Sequence, residues 1–413
     1  MGAIEFVFII RISVGGLGRL EQLLRGLQRP ALPRQAPSPS QAGVGTTAET
    51  NNPRIAMKNP PSLAGLIAAS CLLSSPAAAQ KTDKSKAVVE LADVVEQLRR
   101  QNDSLRHHLS SLSRQVDDLM FYNRLGDIAH IDKVRLFGPP RRKPKSPTAQ
   151  GAGNKFLFYA YVFLPKDLDR SAKQPLIVYP HGGVHANFTS RATNILREML
   201  LQGYSVVAPE YRGSTGYGRG MYESIDYGGL EIEDTYAARN YMLEVYDFLD
   251  STRVGIVGWS HGGLHALMNI FEHGEDYAAA YAGVPVSDLI ARMGYKTQRY
   301  RELYSVDYHI GKTASEDVEE YKRRSPSWQT KKYDGTPLLI HSTTNDGDVN
   351  VLEVERLIQA LQANGKTGFV HKIYQDAPGG HSFNRLDTRL ARESRREIWQ
   401  FLAAHLKPAR PAK

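Results

Sequence analysis

Cysteine is almost absent: the 413 residues include one, Cys71. No intramolecular disulfide can form, and no cysteine-based zinc centre can be assembled. The His-Glu-x-x-His signature of helical zinc sites is missing too. Two histidine pairs, His181 with His185 and His261 with His265, do stand four residues apart. The first pair falls in a Gly-rich turn; the second could share a helix face, but no cysteine can assist it, so neither a metal nor a cofactor is expected. Basic residues outnumber acidic ones, 52 to 43, yet they are dispersed. The densest run, Arg141-Arg142-Lys143-Pro144-Lys145, has no interleaved aromatics and lies among prolines. That reads as a solvated linker, and nucleic acid is not expected as a partner.

Hydrophobic residues make up 41% of the chain and charged residues 23%, the balance of a soluble globular protein with a sizeable core. The length allows two or three average domains, although one α/β domain can reach about 250 residues. Met57-Lys58, an apolar core at 63–73 and the small residues Ala77-Ala78-Ala79 before Gln80 have the layout of a secretory signal peptide. Cleavage is expected after Ala79, giving a secreted or periplasmic protein. The core is too short to cross a bilayer as a helix, so no stable membrane span is expected. A signal at residue 57 implies translation from Met57, which makes residues 1–56, Pro- and Ser-rich, a disordered start-site extension. A bipartite leader is the alternative.

Regular periodicity follows. Leu91, Leu98, Leu105, Leu112 and Leu119 recur every seven residues, and Val88, Val95, Asn102, Leu109 and Val116 precede each by three. These are the d and a positions of a heptad seam, and Val at a, Leu at d and one polar Asn102 at a favour a parallel two-stranded coil. A coiled-coil helix over 85–122 is therefore expected, with a homodimer as its product; a helix packed on the domain that follows is the other reading. Residues 123–153 read as a linker.

From residue 154 to 407 the pattern is α/β. Strands are expected at 156–164, 176–179, 205–208, 254–257, 281–284, 338–341 and 371–374, and helices at 191–201, 231–244, 264–271, 351–363 and 388–405. Apolar strands alternating with helices imply a mostly parallel sheet with helices on both faces.

Within that pattern Gly258-Trp259-Ser260-His261-Gly262-Gly263 joins the apolar run 254–257 to a helical stretch. Strand, sharp turn and helix are the setting of a nucleophile elbow, where glycines let chain and helix approach closely. Acyl transfer also needs a base, a group to orient it, and donors for the oxyanion. Asp346, after the strand 338–341, and His381, between the last strand and the last helix, supply the first two in the chain order of an α/β-hydrolase fold. The backbone N–H of His261 and the turn His181-Gly182-Gly183 supply the donors.

Three blocks extend the likeness: Pro180-His181-Gly182-Gly183, then Arg212-Gly213-Ser214-Thr215-Gly216-Tyr217-Gly218 preceded by Pro209-Glu210-Tyr211, then the elbow. On these blocks, with support from 231–243 and Ser325-Pro326, the region from about 155 to 407 resembles the catalytic domain of the prolyl oligopeptidase family of serine peptidases, nearest its acylaminoacyl and dipeptidyl peptidase branches. The resemblance implies Ser260 as nucleophile, His381 as general base and then acid, Asp346 as the orienting carboxylate, and His181, Gly182 and Gly183 as part of the oxyanion site.

Two departures matter. The run His341-Ser342-Thr343-Thr344-Asn345-Asp346-Gly347-Asp348-Val349 is one residue longer than the family pattern His-Gly-Thr-x-Asp-x-x-Val, which leaves Asp348 as a reserve for Asp346. Asp376, five residues before His381, is a weaker candidate. Fewer than eighty residues separate the signal from Phe156, too few for the β-propeller that family peptidases carry. The expected function is cleavage of short peptides or acylated amino acids through an acyl-enzyme, with a carboxylesterase acting on acylated sugars or aromatic esters as the alternative. Val286, Leu289 and Tyr295 are the candidate apolar lining of the acyl pocket.

Overall fold

The computed structural model describes residues 76–144 and 146–412. The extension 1–56 and the signal-peptide core, with Cys71, lie outside the described residues. A 50-residue helix α1 (Pro76–Leu125) leads into β1 (Ala129–Gly138), β2 (Phe156–Pro165), β3 (Gln174–Val178), α2 (Thr193–Gln202), β4 (Ser205–Glu210), α3 (Arg219–Tyr222) and α4 (Leu230–Val245). Then come β5 (Leu249–Trp259), α5 (His261–Glu272), β6 (Ala279–Gly283) and four short helices: α6 (Leu289–Tyr295), α7 (Gln298–Ser305), α8 (Val318–Arg323) and α9 (Pro326–Gln329). The chain closes with β7 (Leu338–Thr343), α10 (Val351–Ala363), β8 (Phe369–Tyr374) and α11 (Arg389–Leu406).

The described strands form one eight-stranded sheet in the order β1-β2-β4-β3-β5-β6-β7-β8. The pairs β1 with β2 and β2 with β4 are antiparallel, and the rest are parallel. Strand alternation sorts side chains onto the two faces. On β2, Phe158, Ala160 and Val162 join one core with Ile232 and Met242 of α4 and Leu264 and Leu267 of α5. Tyr161 and Phe163 join the other with Leu196 and Met199 of α2 and Ile398 and Leu402 of α11. All strands and helices expected from the apolar pattern are present, and both faces are covered.

The linker needs correction. Residues 129–138 are strand β1, paired in unbroken register from Ala129 opposite Pro165 to Gly138 opposite Phe156. Its His130, Asp132, Lys133 and Arg135 interrupt the apolar run, as suits an edge strand that must not pair with other chains. The basic run after it is exposed but pinned: Arg142 Nη1 meets Glu320 Oε1 at 2.7 Å, and Lys143 Nζ donates to Asp307 O at 2.8 Å. Arg212 anchors the same segment, donating to Pro139 O at 2.7 Å while its guanidinium grips Asp234 with two 2.7 Å bonds. Both partners are buried, so this fork is bidentate and dry.

Helix α1 docks on its own domain through its C-terminal part. His107, Ser110, Ser111, Arg114, Asp117, Asp118, Phe121 and Leu125 recur at helical spacing and make up its covered stripe. Phe121 packs on Tyr161, Phe163 and Phe188 with ring centroids 5.0, 5.5 and 5.8 Å away. Arg114 Nε and Ser111 Oγ donate to Gly216 O at 3.0 Å, and Asp117 accepts from Ser190 N–H at 2.9 Å. The heptad seam lies elsewhere on the helix: Leu98, Leu105 and Leu119 are 58%, 67% and 71% exposed.

Candidate active site

Ser260 joins β5 to α5 at φ 62° and ψ −120°. A side chain with positive φ costs on the order of 1–3 kcal/mol, and it persists where surroundings enforce it. Here the enforcement is a ring of backbone bonds: Ser260 N–H donates to Gly283 O at 2.9 Å, and Ser260 O accepts from Leu264 and Val286 N–H at 3.1 Å. The flanking glycines are required by space. A Cβ on Gly258 would stand 1.9 Å from Gly262 O, and one on Gly262 would stand 2.4 Å from Pro180 O.

His381 lies in the 3₁₀ turn Gly380–Arg385 after β8. Its Nδ1 is 2.8 Å from Asp346 Oδ2 and 3.0 Å from Oδ1. Asp346 is oriented in turn by Asp348 and Val349 N–H groups at 2.8 and 2.9 Å to its Oδ1. Trp259 Nε1, next to the serine, donates to Asn384 Oδ1 at 2.9 Å and so fastens the histidine turn to the elbow. Arg385 Nη2 donates back to His381 O at 2.6 Å. Asn384 and Arg385 were not singled out from sequence; their signal is their place three and four residues after the histidine.

Asp348 is separated from this role by its contacts. It is 45% exposed, pairs with Lys296 Nζ at 2.5 Å and Arg292 Nη2 at 3.4 Å, and stands 3.7 Å from His381 Nε2 rather than against Nδ1. Those cations hold its carboxyl below the ordinary range against the opposing effect of burial, the largest single influence on it. Asp376 bonds Thr344 instead, through its own N–H at 2.9 Å.

The oxyanion turn sits against the elbow: a Cβ on Gly182 would be 3.0 Å from Trp259 O and 3.4 Å from Ser260 Cβ. Gly183 follows at φ +85°. His261 begins α5, so its N–H has no intrahelical acceptor and is available above the turn. The His181 side chain faces inward. Its Nε2 is 2.9 Å from Ser214 Oγ and its ring stacks on Tyr211 at 4.2 Å. Burial pushes it down to about 4, so it is neutral near pH 7. Only main-chain donors of this turn can face a substrate oxygen.

The acyl-pocket expectation is corrected in part. Val286 and Leu289 are 1% and 0% exposed and belong to the sheet core, so neither presents surface to a cleft. Tyr295 is at the surface, but its hydroxyl meets Glu353 Oε1 and lies 3.0 Å from Arg292 Nη1, a polar cluster rather than an apolar wall. An apolar residue just after a strand has the same sequence signature in a core as in a pocket.

Residues 192–409 match the Prolyl oligopeptidase family. The chain is 29% identical over 224 residues to mouse dipeptidyl peptidase 8, covering 51% of this chain and 24% of that protein. It is 33% identical over 190 residues to dipeptidyl-peptidase 5 of Porphyromonas gingivalis, covering 44% and 27%. It thus spans about a quarter of the length of these relatives. The acylaminoacyl peptidase of Pyrococcus horikoshii superposes with a TM-score of 0.56 at 18% identity, over 68% of this chain and 42% of that one, a likeness of fold. With more than half of its residues matched and the elbow, acid and histidine in family order, the chain belongs to the prolyl oligopeptidase family.

Proposed function

We propose that this protein is a serine peptidase that cleaves short peptides or acylated amino acids through an acyl-enzyme. The observation that carries the reading is the 2.8 Å bond between His381 Nδ1 and Asp346, in a turn fastened beside the strained Ser260. Asp346 accepts the hydrogen bond from His381 Nδ1–H, which leaves His381 Nε2 as the base. That nitrogen takes the Ser260 hydroxyl proton as Oγ attacks the scissile carbonyl. The N–H groups of His261 and the Gly182 turn donate hydrogen bonds to the developing oxyanion. Collapse breaks the C–N bond, His381 protonates the departing amine, and water then releases the acyl group by the same steps in reverse. Purified enzyme tested on matched aminoacyl anilides and simple aryl esters should turn over the anilides. Turnover confined to esters would overturn the peptidase reading, and Ser260→Ala should lower turnover by about 10⁴ to 10⁶ in either case.

We further propose that the enzyme acts outside the cytoplasm and pairs through α1. Support for export is the layout of residues 57–79; amino-terminal sequencing of protein recovered from the medium or periplasm should begin at Gln80. Support for pairing is the heptad seam together with its exposure, since the covered stripe of α1 uses other residues. Light scattering on the chain from Gln80 should give a dimer, and a monomer would refute the pairing.

A further inference from the structure

The chemistry above leaves a group of buried ligating side chains unused. Glu231 at the start of α4 meets His261 and His265 of α5, and among the described residues their ligand atoms lie within 4.8 Å of one another. The histidines are one turn apart and share a helix face. The missing third ligand, absent from any local sequence signature, comes from a different helix.

All three residues are at most 1% exposed. In that buried setting Glu231 Oε2, His261 Nδ1 and His265 Nε2 have no hydrogen-bond partner, and His261 Nε2 has only the Glu231 carboxyl 3.2 Å away. Each unsatisfied buried polar atom costs about 1–3 kcal/mol, and such atoms are few in folded proteins. Their concentration at one point calls for a shared partner.

The surroundings already orient the ligands. Thr235 Oγ1 donates to Glu231 O at 3.3 Å and accepts from His265 Nδ1 at 2.8 Å, which leaves the lone pair of that ring on Nε2. Glu231 Oε1 accepts from Gly228 N–H at 2.6 Å and stands 3.2 Å from His261 Nε2. Hydrogen bonds of this kind behind the ligands are the usual support of a metal centre. Two imidazoles and one carboxylate suit zinc.

We propose that Glu231, His261 and His265 bind one zinc ion, which ties the start of α4 to the helix that carries the nucleophile. Ligand bonds of about 2.0–2.2 Å require the side chains to draw inward by roughly 1 Å on loading. The three ligands are closed from solvent, and ligation through the His261 ring leaves the N–H of that residue to the oxyanion.

The test is metal analysis of the untagged full chain by mass spectrometry, followed by chelator stripping and calorimetric titration with zinc chloride. One zinc per chain is expected, with a higher Tm on loading. Glu231→Gln, which keeps the side-chain shape, and His265→Ala should each weaken zinc binding by about 100-fold or more, beyond the effect of losing a supporting hydrogen bond. Wild-type protein that neither retains nor takes up stoichiometric zinc overturns the proposal, as does a His265→Ala variant that binds it as tightly as wild type.

Discussion

Ser260 keeps an unfavourable backbone because neighbouring residues leave it no other, and the same crowding makes its glycines the least replaceable positions of the site. Gly258→Ala sets a methyl 1.9 Å from Gly262 O, and the only relief is movement of the helix. This variant should lose more than about 3 kcal/mol in urea unfolding; an intact midpoint would show that the turn is looser than described. The two neighbouring acids separate as sharply. Asp346→Asn should reduce kcat by about 10⁴, because His381 loses the group that fixes its tautomer. Asp348→Asn, which touches Lys296 and Arg292 at the rim, should stay within roughly tenfold of wild type. The elbow, Asp346 and His381 were legible because each is bound to a local pattern of strand, turn and helix. The extra residue before Asp346 left Asp348 open until hydrogen-bond directions were known. Val286 and Leu289 were misread because burial against a sheet and burial against a ligand select the same side chains.

Helix α1 has two faces with different sequence signatures, and only one of them was readable. The seam announces itself by a seven-residue repeat of leucines. The docking stripe contains Ser111, Arg114, Asp117 and Asp118, polar residues that look solvated until Gly216 O, Ser190 N–H and Lys133 are seen to meet them. Strand β1 was hidden by a related effect, since an edge strand needs charge on it and the sheet supplies half of its pattern. Two substitutions separate the faces. Phe121→Ala removes the ring between Tyr161, Phe163 and Phe188 and should cost about 3–5 kcal/mol. Limited trypsin digestion should then cut faster at Arg114 and Arg124. Leu98→Lys with Leu105→Lys, both on the exposed seam, should abolish the proposed dimer in light scattering while leaving Tm of the remaining domain within a few degrees. Loss of both properties in either variant would mean that the faces are not independent.

Across the whole molecule, buried histidines set how the fold responds to acid. His341 in β7, with Nδ1 3.1 Å from Ser394 Oγ, is pushed down to about 4 from an ordinary 6.5 by loss of water. The unfolded chain then binds the proton first as pH falls, so the contribution of His341 is whole above about 6.5 and is lost on the way down to about 4. Glu210, raised to about 8 by burial, has the opposite sign and loses its contribution as pH rises through that value. The margin of wild type over His341→Gln in urea unfolding should therefore shrink by about 2–3 kcal/mol between pH 7 and pH 4.5; a constant margin would contradict the assignment. The alternation of strands and helices made the layered architecture readable, whereas the α4–α5 contact that joins Glu231 to two histidines depends on tertiary packing and has no local signal. The account as a whole turns on one serine. Incubation with a fluorophosphonate, followed by intact-mass and peptide mass spectrometry, should place one adduct per chain on Ser260, absent in Ser260→Ala and formed at least about 10²-fold more slowly in His381→Ala. An unlabelled wild-type chain, or an adduct on another residue, would contradict it.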